Sequence, residues 1–184
     1  MKKWLYKFIF FKVMGWKIVG TIDKSTMKCV LMVMPHTSWH DFYLGFFTRG
    51  ITQIPMHYIA KKELFKFPFG WYFRYMGGKP IDRVGNLNKV DAIAKIFETN
   101  NELRLAIMPE GTRKKVTEIK SGFYFIALKA NVPIIPVAFD FGKKQVSIGN
   151  ELKPSGNYEE DLKILLKHFS GVKGKVSEND FKVN

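Results

Sequence analysis

The sequence predicts an α/β protein: a single layered domain with a central mixed sheet flanked by helices, preceded by a short amphipathic N-terminal helix. Three observations carry this. Apolar runs of strand length at 28–34, 103–108 and 134–139 are separated by stretches of helical spacing at 38–49, 88–99 and 121–130. At 184 residues the chain has the size of one domain with a full hydrophobic core. No composition shift marks a linker, so the expected division is a helix over 1–14, a main domain over 15–170 and a loosely held tail over 171–184.

Over the helix expected at 1–14 and the residues just after it, Lys2, Lys3, Lys7 and Lys17 project into one sector of a helical wheel. Trp4, Leu5, Phe8, Phe11 and Trp16 fill the rest, with Lys12 out of place. Such a helix suits either an in-plane membrane anchor or packing on the domain. Its lysines interrupt the apolar run too often for a transmembrane span or a signal-peptide core, so a cytoplasmic location is expected. Strands follow at 16–22 and 28–34, then a helix at 38–49 and a short apolar run at 56–60. The stretch from Phe65 to Tyr75 is too aromatic for an ordinary solvated helix face. Pro68 breaks it, and the interleaved Lys66 and Arg74 favour a partly exposed apolar surface over a core helix. Gly77 and Gly78 turn the chain into a short extended piece. Asn88 and Asp91 cap the helix ending at Thr99. A strand at 145–148 and an amphipathic helix at 158–169 complete the domain.

Thirty Lys and Arg against sixteen Asp and Glu give a formal charge of +14, which implies an anionic partner: a membrane surface, nucleic acid or a phosphorylated substrate. An aromatic fraction of 15%, with 17 Phe, exceeds the needs of a basic nucleic-acid module and suits a lipid interface. No recognised nucleic-acid module is present, and none is expected as a partner. The single cysteine, Cys29, excludes an intrachain disulfide and reads as a buried core thiol.

The most informative motif is Pro35-His36-Thr37-Ser38-Trp39-His40-Asp41. On one straight helix His36 and Asp41 would stand about 140° apart, so they meet only if the chain turns between them. A strand ending at His36 and a helix beginning near Ser38 supplies that turn. The carboxylate then holds one imidazole nitrogen as N–H and leaves the other free to take a proton, which activates a hydroxyl without a Ser or Cys nucleophile. A second reading stays open: Ser38 and Asp41 fit the S-x-x-D pattern, in which the carboxylate caps a backbone N–H. His36, His40 and Asp41 lack the Cys- or Glu-rich partners of a complete metal site, so no metal is expected. His57 and His168 have no motif context and read as structural or solvated.

Three further motifs follow in order: Gly78-Lys79-Pro80-Ile81-Asp82-Arg83, Pro109-Glu110-Gly111-Thr112-Arg113, and Val132-Pro133-Ile134-Ile135-Pro136-Val137. Together with His36-x4-Asp41, and with Lys61-x-Glu63-Leu64 and the aromatic stretch before Gly77, they resemble the lysophosphatidic acid acyltransferase family of glycerolipid acyltransferases. The resemblance runs from about Gly15 to Val137. It implies that His36 is the general base and Asp41 its orienter, that no acyl-enzyme forms, and that Arg83 meets the acceptor phosphate. A guanidinium fork suits that task, although Arg83 could equally pair with Asp82. The resemblance places Glu110, Gly111, Thr112 and Arg113 near the acceptor. There glycine permits close backbone approach, and Glu110 could accept a hydroxyl hydrogen bond or hold Arg113. Pro133 and Pro136 would shape the neighbouring strand.

The chain departs from the family where Pro35 replaces the common Asn and where His40 precedes the aspartate. The implied reaction takes an acyl chain from acyl-CoA or acyl-carrier protein, as substrate and with no cofactor, to a lysophospholipid hydroxyl. The acceptor expected is 1-acylglycerol 3-phosphate, and the location is peripheral on the inner face of the cell membrane. The rivals are the same chemistry on another lysolipid and a noncatalytic basic membrane-binding module.

Overall fold

The computed structural model describes residues 3–81 and 89–183, without the side chains of Lys61 and Ile81. Seven strands form one sheet: β1 (Lys17–Val19), β2 (Lys28–Met34), β3 (His57–Lys61), β4 (Gly78–Ile81), β5 (Leu103–Ile107), β6 (Ile134–Asp140) and β7 (Gln145–Ile148). Their order is β1-β7-β6-β2-β5-β3-β4. All neighbours are parallel except β6 and β7, which makes the sheet mixed as expected. The helices are α1 (Lys3–Lys7), α2 (His40–Thr52), α3 (Gly70–Tyr75), α4 (Lys89–Thr99), α5 (Gly122–Ala130) and α6 (Tyr158–Lys167).

Strand β2 lies between β5 and β6 and is buried on both faces, which is why Cys29–Met34 reads as an unbroken apolar run. Burial of the Cys29 thiol pushes its pKa up to about 12, so it remains an inert core group. On one face Leu31, Val33, Ile135 and Val137 pack with Tyr6, Phe10, Leu44 and Ile51. On the other Val30, Met32, Leu103 and Leu105 pack with Phe97, Phe123, Ala127 and Leu165. Helices therefore cover both sides, as parallel pairing requires. Pro136 is accommodated inside the sheet because it falls between the Ile134↔Leu152 bridge and the start of β7 pairing at Val137.

Some expected boundaries shift for identifiable reasons. The strand expected over 16–22 is confined to Lys17–Val19. Gly20 turns the chain at φ +80°, where a Cβ would stand 2.0 Å from the Ile148 carbonyl oxygen. The single N-terminal helix is instead α1 followed by a π-helical turn over Phe8–Val13. Of the two roles expected for it, packing on the domain is seen on one face. Tyr6 packs edge-on against both Phe46 and Phe47 of α2, and Phe10 is fully buried. Trp4, Phe8 and Val13 remain exposed.

The aromatic stretch splits around Pro68 into a 3-10 turn (Lys62–Phe65) and α3. Phe65 is buried, whereas Phe67 is 97% exposed and Trp71 71% exposed. The C-terminal segment, expected to be loosely held, packs Val172, Phe181 and Val183 against the α5/α6 side of the core.

The N-terminal segment thus contributes to stability through its inner face only. Phe10→Ala should lower unfolding free energy by about 3–5 kcal/mol, and the exposed Phe8→Ala should change it by less than about 0.5 kcal/mol. Equilibrium denaturant unfolding checks both; equal effects would contradict the packing.

Candidate active site

The candidate site stands at the carboxyl ends of the parallel strands, where open α/β sheets bind ligands. Strand β2 ends at Met34, the chain turns through 35–39, and α2 begins at His40. That turn brings His36 Nδ1 within 3.0 Å of Asp41 Oδ2. The same oxygen accepts the Ser38 backbone N–H at 3.1 Å. One oxygen of Asp41 thus makes both contacts that the two readings of the motif call for, one to the Ser38 backbone and one to the His36 ring. Asp41 is 1% exposed, and a carboxylate that deeply buried needs such donors. A carboxylate can only accept, so this contact favours the tautomer with the proton on Nδ1, in which Nε2 keeps its lone pair.

Glu110 approaches from the loop after β5. Its Oε2 accepts the His36 backbone N–H at 2.6 Å. Among the described residues it makes no ion pair with Arg113, so the expected role of holding that arginine gives way to fixing the backbone of the histidine. Burial pushes the Glu110 pKa up to about 7, against the lowering effect of the His36 N–H, with Asp41 and Asp180 raising it further. Gly111 has φ +68°, and a Cβ there would meet Lys120 Nζ at 2.6 Å. Thr112 Oγ1 accepts the Lys114 N–H at 3.3 Å and shapes the same loop. Arg113 is exposed, and its carbonyl accepts a hydrogen bond from Asn179 Nδ2 at 3.1 Å. Arg83 lies outside the described residues.

His36, Asp41, Gly111 and Arg113 border a cavity of about 570 Å³. Its position follows from the sheet: β3 pairs with β5 only through His57↔Leu105 and Tyr58↔Ala106, after which β3 pairs with β4 alone. Phe42, Ile59, Met76, Ile93 and Met108 give the cavity apolar walls, while Lys89, Arg113 and Lys120 supply cations. A chemically coherent ligand therefore has an anionic end and an apolar body.

His40 points its chemistry elsewhere, with Nδ1 2.8 Å from Ser38 Oγ and its ring against Trp39 at 4.1 Å. Among the described residues no three His, Cys, Asp or Glu side chains are grouped to hold a metal ion.

Lys120 is missed by the sequence reading, and His57, read there as structural or solvated, lines the cavity. Lys120 was one cation among thirty, and only the fold puts it against Gly111. His57 borders the cavity, where burial first, then Lys79 and Arg49, push its pKa down to about 4 and keep the ring neutral. His168, by contrast, is structural, with Nε2 3.0 Å from Ser147 Oγ.

Folding raises the Glu110 pKa from 4.5 to about 7, so the folded state binds this proton more tightly than the unfolded chain. The associated stability is complete below the unfolded value and lost as pH rises through the folded one. Glu110→Gln keeps an acceptor for the His36 N–H but does not titrate. Relative to that variant, the native protein should lose stability between about pH 5 and pH 8. Urea midpoints for the pair across this range check the shift, and a constant difference would contradict it.

Residues 18–140 match the Acyltransferase family. The chain is 35% identical over 115 residues to the 1-acyl-sn-glycerol-3-phosphate acyltransferase of Streptococcus pneumoniae, covering 59% of this chain and 40% of that protein. With the protein of the same description from Escherichia coli it shares 31% identity over 132 residues, covering 68% and 53%. The matches thus span about half or less of these relatives. Among solved structures, the 1-acyl-sn-glycerophosphate (LPA) acyltransferase PlsC of Thermotoga maritima aligns with a TM-score of 0.58 at 22% identity, covering 94% of this chain and 80% of that one. The fold is shared at that level. The family match takes in the histidine turn, the Glu110 loop and the strands between them, and on that ground the chain belongs to the acyltransferase family.

Proposed function

We propose that this protein moves a fatty acyl chain from an acyl thioester to the hydroxyl of 1-acylglycerol 3-phosphate, producing phosphatidic acid, with His36 as general base and without an acyl-enzyme. The observation that carries this reading is the His36–Asp41 pair at the border of a deep, largely apolar cavity. With Nδ1–H held by Asp41, Nε2 removes the acceptor hydroxyl proton as the oxygen attacks the thioester carbonyl. The tetrahedral adduct then collapses: the carbon–sulfur bond breaks, and the thiolate leaves with the proton held on His36. The products are the ester and the free thiol, so His36 returns to its starting state.

The acyl donor is acyl-CoA or acyl-carrier protein, both anionic and drawn to a chain of charge +14. Arg113 and Lys120 at the cavity suit an anionic headgroup, and Arg83 is assigned the acceptor phosphate from its motif position. The relatives' descriptions as 1-acyl-sn-glycerol-3-phosphate acyltransferases support this acceptor.

No helix among the described residues is long and apolar enough to cross a membrane. Exposed Trp4 and Phe8 on the N-terminal segment, and Phe67, Phe69 and Trp71 around α3, instead suit insertion into the surface of a bilayer. We place the protein at the cytoplasmic face of the cell membrane, where its thioester donors are made. Docking there lets the acyl chain enter without crossing water, which favours transfer by about 0.8 kcal/mol per CH₂ kept buried.

The test is acyl transfer in lipid vesicles, with both donors offered against lysolipids with and without a phosphate. Turnover should be restricted to phosphate-bearing acceptors, and His36→Ala should lower it by about 10²- to 10⁴-fold while vesicle binding is retained. Turnover confined to phosphate-free lysolipids would overturn the acceptor. Vesicle binding with no turnover would favour a noncatalytic membrane module.

The docking surface has its own check. The double variant Phe67→Ser, Trp71→Ser should reduce cosedimentation with vesicles while leaving the thermal midpoint unchanged. Undiminished cosedimentation would contradict the assigned surface.

A further inference from the structure

The family match ends at residue 140, yet the chain beyond it returns to the candidate active site. After α6 the backbone runs beside β6, with the Phe141 N–H donated to the Lys173 carbonyl at 2.7 Å. The Asp180 carboxylate then closes a loop by accepting the Gly174 N–H on both oxygens, at 3.0 and 3.1 Å. Val172 on one side, and Phe181 and Val183 on the other, anchor this loop in the core.

The loop touches both segments that carry the candidate chemistry. The Val176 N–H donates to Thr37 Oγ1 at 3.2 Å, one residue from His36. Asn179 Nδ2 donates to the Arg113 carbonyl at 3.1 Å, three residues from Glu110. Gly174 lies so close that an added Cβ would stand 2.6 Å from Thr37 Oγ1 and 2.4 Å from Asp180 Oδ1. Three consecutive residues of the histidine turn are thereby held by three different parts of the chain. Glu110 accepts the His36 N–H, the Thr37 hydroxyl accepts the Val176 N–H of the loop, and Asp41 accepts the Ser38 N–H. Since Asn179 also holds the Glu110 loop, the contacts form a closed ring through His36, Glu110, Arg113, Asn179, Val176 and Thr37.

We propose that the segment from Gly174 to Asp180 is a positioning strap that locks the histidine turn and the Glu110 loop in register, with Thr37, Gly174 and Asn179 as its contact residues. The proposal rests on the acyltransferase reading for its effect on turnover, but its structural part can be tested independently. The strap touches no reacting atom. It sets the distance and angle at which His36 meets the acceptor hydroxyl, and misplacing a catalytic group by about 1 Å can cost about 10²-fold in rate.

Thr37→Val removes the acceptor at nearly constant volume, Thr37→Ser keeps it, and Gly174→Ala forces the strap and turn apart. The expected outcome for Thr37→Val and Gly174→Ala is a fall in kcat of about 10- to 100-fold with little change in KM for donor or acceptor. Thr37→Ser should retain most of kcat. Hydrogen–deuterium exchange on the full chain supplies the activity-independent arm. Peptides covering 36–41 and 110–113 should both exchange faster in Thr37→Val and Gly174→Ala, whereas a peptide covering α6 keeps its rate.

Unchanged kcat per folded molecule, or faster exchange in the histidine turn alone, would overturn the strap. Coupled exchange of the two loops in a protein whose wild type transfers no acyl group would sustain the strap and sink the acyltransferase reading.

Discussion

One carboxylate oxygen organises the corner of the candidate site. Asp41 Oδ2 accepts from His36 Nδ1 and from the Ser38 backbone, so the contact that holds the turn before α2 also favours one tautomer of the imidazole. Moving the carboxylate would release the turn and the imidazole together. Burial makes the arrangement stringent, because a carboxylate shielded from water has few alternatives to the donors the turn offers. Structure and chemistry here are two uses of the same hydrogen bonds.

The sheet explains why this corner faces a cavity. Parallel strands β2 and β5 deliver the histidine turn and the Glu110 loop to the same edge, and the early end of β3–β5 pairing separates the strands beside them. The apolar walls of the cavity and its few cations suit a ligand with a tail and a charged end. Glu110, whose pKa burial raises to about 7, meets the site through the backbone of His36. Exposed aromatic rings on the N-terminal segment and in the α3 region supply the apolar surface on which the proposed membrane docking rests.

Much of this was legible in the residues. The core strand Lys28–Met34 shows as an apolar run because both of its faces are covered, and the five-residue offset of His36 and Asp41 demands a turn. Glu110 and Gly111 were placed at the site by motif, but the partner of Glu110 is a backbone N–H 74 positions away, which no local pattern encodes. Lys120 gave no signal beyond its charge. The tail misled for a physical reason: its anchoring uses backbone N–H groups, one hydroxyl and isolated apolar side chains, so it shows no periodicity. Its contact with Thr37 spans 139 positions. Polar, glycine-containing composition describes what a segment exposes, and says little about what it holds.

On the proposed mechanism, Asp41 holds His36 as the Nδ1–H tautomer and leaves Nε2 to receive the acceptor proton. Nitrogen-15 NMR of histidine-labelled protein measures this directly. The account predicts that the neutral His36 ring carries its proton on Nδ1, and that Asp41→Asn shifts the population toward the Nε2–H form. A native protein in which neutral His36 is protonated on Nε2 would leave that nitrogen unable to take a proton and would contradict the proposed role of His36.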